Sequence, residues 1–331
     1  MFGYLIRRLI SGILVLLVIS VSVFALFFYG PSDPALAYCP ETRCTPQRLD
    51  NIRHQLGLNR PVVEQYSEYM KGIVAGNDFQ AGAITIKCPA PCLGVSFKLR
   101  VNVTDFLWQR FPATLSIAIG GAAIFLLLGV SSGVFAARRR GTFSDKLIVG
   151  ASLVIYAIPY YLFALLAYLY LISLWGIFPE SGYHPLFTEG PIAWAKGLSL
   201  AWLVIGLTSA TAYARFSRGS MIEALNEDYV RTARSKGISE RRVTYSHALR
   251  AAIVPVITIF GLEFATLLAG TIFTERIFDI QGIGLTALQA IGTKDLPIIS
   301  ATVMIAAAFI VTANIVVDVV YSVIDPRVRL T

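Results

Sequence analysis

The sequence predicts an all-α integral membrane protein of six transmembrane helices, with a structured, disulfide-bearing loop on the outer face between the first and second. Three observations predict it. Of its 331 residues, 56% are hydrophobic and only 15% charged, with a mean hydropathy of +0.66, whereas a soluble domain carries about 25% charged residues. Six stretches are long and apolar enough to cross a bilayer, which takes roughly 20 residues. All four cysteines fall in one loop between the first two of those stretches.

In chain order the spans are expected at residues 9–29, 113–137, 147–175, 197–214, 251–274 and 298–317. The fourth is slightly short, and the fifth contains Glu263. The first competes with a cleavable signal peptide, because Arg7 and Arg8 precede it and "ALAYC" lies downstream. Its apolar run exceeds the roughly 7–15 residues of a signal core, and Pro31, Asp33 and Pro34 intervene, which favours an uncleaved helix. Tyr38 is bulky where lipidation of Cys39 would want a small residue. Residues 1–29 thus form the tail and first helix, 30–110 an outer loop domain, 111–322 the remaining five helices with a charged connection at 215–250, and 323–331 a tail.

Basic residues set the orientation. One face holds Arg7 and Arg8, then Arg138, Arg139, Arg140 and Lys146, then eight cations between Arg215 and Arg250, then Arg327 and Arg329, sixteen of the 28 Lys and Arg in all. Nine of the other twelve lie in the long loop, a weak determinant, and the short connections there hold only Lys196, Arg276 and Lys294. Both termini and the charged connection are expected in the cytoplasm. This accounts for the net charge of +8 without a nucleic-acid partner.

Cys39, Cys44, Cys88 and Cys92 all lie in the exported loop, where an even count reads as disulfides. Three pairings are open, and the C-x4-C and C-x3-C spacings make the local pairs 39–44 and 88–92 plausible. A zinc site is the rival, but no C-x2-C knuckle occurs, and no metal site is expected. The loop is too long for a plain connector. "TPQRLDNIRHQLGLN" reads as one short helix ending near Gly57, and "PVVEQYSEYMKGIVAG" as a second closed by Gly76.

The charged connection contains "DYVRTARSKG". Asp228 is positioned to cap a helix that runs to a cationic last turn and stops at Gly237. Nearly three turns long, such a helix needs something packed on it. Its apolar side chains are Tyr229, Val230 and Ala233, and small residues at 232, 233 and 235 permit close approach by a partner. A helix resting at the lipid interface, with arginines on anionic headgroups, competes equally with a docking role on these grounds.

"DYVRTARSKGISERRVTYSHALRAAIVPVIT" resembles the EAA loop of ABC importer membrane subunits, with Gly237 fixed and Leu249 twelve residues on. More specifically it is similar to the dipeptide, oligopeptide and nickel permeases. Other stretches resemble the same family in order: "YLIRRLISGILVLLVISVSVF", "LGLNRPVVEQYSEYMKGIVAGNDF", "RFPATLSIAI", "TERIFDIQGIG" and "DPRVR". The chain departs from it between Gln80 and Val103, where a cysteine-bearing insertion replaces a short link. Arg231 stands where the general pattern has Glu, and Arg250 where many members have Pro.

The resemblance implies a type I importer permease in the bacterial inner membrane that translocates peptides or, alternatively, nickel or another small solute. It implies a second, homologous permease subunit, two ATPase subunits that use ATP and Mg, and an outer binding protein. Asp228, Tyr229, Val230, Arg231, Thr232, Ala233, Gly237 and Leu249 would then form the coupling contact to the ATPases. The chain itself is expected to bind no cofactor and to catalyse no reaction: it has no G-x4-G-K-[ST], no H-E-x-x-H and no nucleophile elbow. An intramembrane lipid-modifying enzyme would need clustered titratable groups, and a stand-alone carrier inverted repeats.

Glu263 stands twelve residues into an otherwise apolar span, about 18 Å along the helix. A carboxylate facing lipid there is expensive, so it is expected to line a solute path or to bond a neighbouring helix, through Thr266 or a hydroxyl from another span. The two roles weigh evenly.

Overall fold

The computed structural model describes residues 2–29, 35, 44–55, 58–81 and 84–324. Cys39, Gly57 and the "DPRVR" stretch lie outside them.

Helix α1 (Phe2–Tyr29) is the first span. The long loop between the first two spans follows, with α2 (Pro46–Gln55) and α3 (Val62–Ala75) as its two expected short helices. Beyond them the loop forms two antiparallel hairpins that the all-helical expectation lacked. Strand β1 (Asn77–Ala81) pairs with β2 (Ile84–Cys88), and β3 (Val95–Ser96) with β4 (Val101–Asn102). Alternating "ITIKC" puts Ile86 and Cys88 on one face, where they pack with Phe79, Cys92 and Val95. A disulfide joins Cys88 to Cys92 across 5.3 Å between Cα atoms, and Cys44 is also disulfide-bonded.

Helix α4 (Val103–Phe125) starts ten residues before the expected second span, because Asn102 caps it by accepting from Thr104 N–H at 2.9 Å. A π-helical turn (Leu126–Val130) leads into α5 (Ser131–Arg138), completing the span.

The third span is not one helix. Helix α6 (Phe143–Ala157) and α7 (Tyr160–Tyr168), which a π-helical stretch (Leu169–Leu174) extends, meet at 91°. Pro159 causes the break: it forces Ile158 into extended backbone and cannot donate to the helix before it.

Helix α8 (Pro191–Asn226) has 36 residues, twice the expected fourth span. Residues 215–226 of the expected charged connection are therefore its last turns. Glycines 121, 129, 133 and 206 let α8 lie against α4 and α5; a Cβ on Gly206 would fall 2.2 Å from Ile124 Cγ2. At the end of the bundle carrying the α5–α6 turn, Arg218 grips the buried Asp145 through two hydrogen bonds of 2.6 and 2.8 Å, and Gly141 N–H donates to the same carboxylate at 2.9 Å.

Helix α9 (Asp228–Ser235), α10 (Glu240–Arg242) and a π-helical turn (Val243–Ala248) lead to α11 (Leu249–Ala269). The fifth span stops five residues before its expected end, at Gly270, whose φ of +123° and 2.7 Å approach to Gly284 admit no side chain. Two short helices, α12 (Ile272–Ile277) and α13 (Ile283–Thr293), precede the last span, α14 (Leu296–Ile324). Arg8 pairs with Asp318 at 3.1 Å, tying α1 to α14.

The main core lies among α4, α7, α8 and α11, around Phe125, Leu198, Leu200 and Ile117. The β3–β4 hairpin rests on the α13–α14 corner, where Ser96 Oγ donates to Asp295 Oδ2 at 2.5 Å and Lys98 Nζ to the Thr293 carbonyl.

Candidate functional site

Helix α9 is two-faced. Val230 and Ala233 are buried, packed with Val134, Ala137, Met221, Ala224, Val243, Ala248 and Ala252 from the ends of α5, α8 and α11. Leu249 joins the same cluster. The chain's own spans thus supply the packing that so short a helix needs. Asp228, Tyr229, Arg231, Thr232, Ser235 and Lys236 make up the exposed face. Of the eight expected contact residues, Val230, Ala233 and Leu249 therefore hold the helix on the bundle, while Asp228, Tyr229, Arg231, Thr232 and Gly237 remain exposed.

The ends of α9 are defined by the backbone. Ile238 N–H donates to the Ala233 carbonyl at 3.3 Å and Gly237 N–H to that of Arg234 at 2.9 Å, a Schellman motif with Gly237 left-handed at φ +74°. Asp228 is not the N-cap. Glu227 holds that position in extended conformation without a side-chain hydrogen bond, and Asp228 is the first helical residue, where its charge still favours the helix dipole. Arg234 Nε reaches Glu240 at 2.7 Å and fixes the turn into α10.

Glu263 is half-buried and bonds to another span: Ser209 Oγ of α8 donates to its Oε1 at 3.4 Å. Thr266 takes no part, since its hydroxyl donates to the Leu262 carbonyl. One turn from Ser209, Tyr213 is stacked on Phe125 within electrostatic reach of Glu263, its hydroxyl buried without a hydrogen-bond partner. Ser209 lies midway along α8, so the carboxylate sits near the centre of the bundle.

A second acidic site escaped the sequence reading. Glu275 of α12 is wholly buried. Its Oε1 accepts from Thr114 Oγ1 at 2.9 Å and its Oε2 from Leu285 N–H at 2.6 Å, while Thr114 Oγ1 also accepts from Ile283 N–H at 2.9 Å. The carboxylate thereby caps α13 and ties it to α4. Burial pushes its pKa above the usual carboxylate range, against the pull of these donors. Gly282 is there because a Cβ would lie 2.4 Å from Glu275 Cδ. The signal was a Glu in the quoted "TERIFDIQGIG", followed by two glycines.

Six segments long and apolar enough to cross a membrane, counting the bent pair as one, with a short helix packed on the ends of α5, α8 and α11, define the class: a multi-pass membrane protein. The chain belongs to the binding-protein-dependent transport system inner membrane component family, whose model matches residues 129–330, while the N-terminal model of the same family matches residues 1–118. It is therefore an ABC importer permease of the type I fold and a multi-pass inner-membrane protein. It is 32% identical over 329 residues to a putative peptide transport system permease protein of Brucella abortus, covering 99% of each chain. It is 34% identical over 348 residues to the di/tripeptide transport system permease protein DppB of Pseudomonas aeruginosa and 31% over 351 residues to the dipeptide transport system permease protein DppB of Escherichia coli, again with 99% of each chain covered.

Proposed function

We propose that this chain forms part of the pore of an ATP-driven importer of di- or oligopeptides. An outer binding protein delivers the peptide, a homologous but different permease chain completes the pore, and two separate ATPase subunits drive it. The observation that carries the reading is the division of α9. Its buried side is rooted on the ends of α5, α8 and α11, so a force on its exposed side passes directly into the spans. A helix merely resting on lipid would turn Val230 and Ala233 outward, not Arg231, Thr232 and Ser235.

Both termini and α9 lie in the cytoplasm on this reading, and the outer hairpins face the oxidising compartment in which a Cys88–Cys92 disulfide persists. The chain does no bond chemistry itself; ATP and Mg belong to the ATPase subunits. The relatives' names favour peptides over nickel or another small solute.

The test is purification of the tagged chain with its co-purifying subunits, followed by reconstitution with the binding protein. ATP-dependent peptide uptake is expected, with Gly237→Val impairing it, because a β-branched residue is strained at φ +74°. Uptake without nucleotide, or no co-purifying ATPase, contradicts the proposal.

A further inference from the structure

Glu263 is an acidic side chain within a span that no cation answers among the described residues. Asp145 is answered by Arg218 and Asp318 by Arg8, but among the described residues no Lys or Arg forms an ion pair with Glu263. Its one side-chain hydrogen bond among the described residues, from Ser209, is long, and the residue is only partly buried. A carboxylate at that depth is costly unless water or a cation meets it. Lipid supplies neither, whereas an aqueous solute path would supply both.

The surroundings are prepared for a polar visitor. Tyr213 is 97% buried by its 3% exposure, yet its hydroxyl has no partner. Such a group costs about 1–3 kcal/mol unless a partner arrives. Helix α11 ends six residues beyond Glu263, about 9 Å away, and α12 and α13 follow where a full-length span would continue. The carboxylate therefore lies nearer the end of α11 that the short helices border than the end that α9 packs on.

We infer that Glu263, oriented by Ser209 and flanked by Tyr213, is a cation-recognition site on the solute path and takes the ammonium groups of the passing peptide. This rests on the peptide-importer reading. Glu263 touches the solute, and Ser209 is a positioning residue that holds the carboxylate toward it. An uncompensated negative charge at this point favours a dipeptide with a cationic side chain over one with an anionic side chain.

The test uses the whole complex in proteoliposomes, with the binding protein saturated in turn with lysyl-alanine, alanyl-alanine or aspartyl-alanine. Saturation removes the binding protein's own preference. Glu263→Gln is expected to lower the ratio of lysyl-alanine to aspartyl-alanine uptake about fivefold, the size of a partly screened ion pair. Ser209→Ala, a smaller change that leaves the charge in place, is expected to lower it about twofold. Uptake that falls equally for all three dipeptides, or a ratio unmoved in both variants, overturns the inference and leaves Glu263 a bond between α8 and α11. Wild-type complex that takes up none of the three overturns the peptide reading itself, and the inference with it.

Discussion

Thr114 and Glu275, 161 residues apart in sequence, share a 2.9 Å hydrogen bond inside the protein, and through it the second span holds the start of α13. Replacing the carboxylate by an amide in Glu275→Gln sets an NH2 against at least one of the donors that now point at Glu275. A loss of about 1–3 kcal/mol is expected. Gly282→Ala drives a methyl group into the same carboxylate and should cost a similar amount. Thermal unfolding of the solubilised protein checks both, and unchanged midpoints would remove Glu275 from its role.

Asp295 gives the structure a pH dependence. Burial pushes its carboxyl above the ordinary carboxylate value, while Ser96 and Lys98 pull the other way, and its Oδ1 is buried without a partner. A group whose folded pKa is raised contributes stability at pH below its unfolded value, about 3.9 for Asp, and loses it as pH rises through the folded value. Stability should therefore fall as pH rises above the ordinary carboxylate range, and Asp295→Asn should flatten that fall. Glu275 acts in the same direction, so the slope is reduced rather than abolished. Unfolding midpoints across the acidic to neutral range measure it; an identical slope in Asp295→Asn contradicts the assignment.

Much of the architecture is legible from hydropathy, because each span buries its backbone bonds within itself and its length follows from bilayer thickness. Where spans begin and end is not. Asn102 extends α4 past the apolar boundary, α8 runs on through Arg215 and Arg218, and Gly270 cuts α11 short. Pro159 could have announced the bend in the third span, but an unbroken apolar run concealed it. The β3–β4 hairpin was not legible because its strands are two residues each and gain their order from packing on α14 and from the Ser96–Asp295 bond. For the site, the sequence located α9 and its Gly237 stop but not which side chains its own spans would cover. Nor could it pair Glu263 with Ser209, 54 residues away.

The Asp145–Arg218 pair offers a double-mutant cycle. Arg218→Ala leaves an almost buried carboxylate without its cation, and a loss of about 3 kcal/mol is expected. Asp145→Leu combined with Arg218→Met should cost less than either single change, because no charge is then stranded. Additive losses in thermal unfolding would show that the two side chains act independently.

The cysteines of the loop between the first two spans are expected to take no alkylating label under denaturing conditions until reductant is added. Reduction should also open the hairpins to protease, since Cys88–Cys92 closes the turn between β2 and β3. Intact-mass measurement reads the outcome, and labelled thiols without reductant would contradict it.

The two-sided reading of α9 is tested most directly by single-cysteine cross-linking in membranes containing the whole complex. Ser235→Cys and Thr232→Cys are exposed positions, and Val230→Cys is a wholly buried one on the same helix. The account predicts that a short bifunctional thiol reagent joins the chain to an ATPase subunit from residues 232 and 235 and fails from residue 230. Cross-links from 230 alone, or none from the exposed positions, would contradict it.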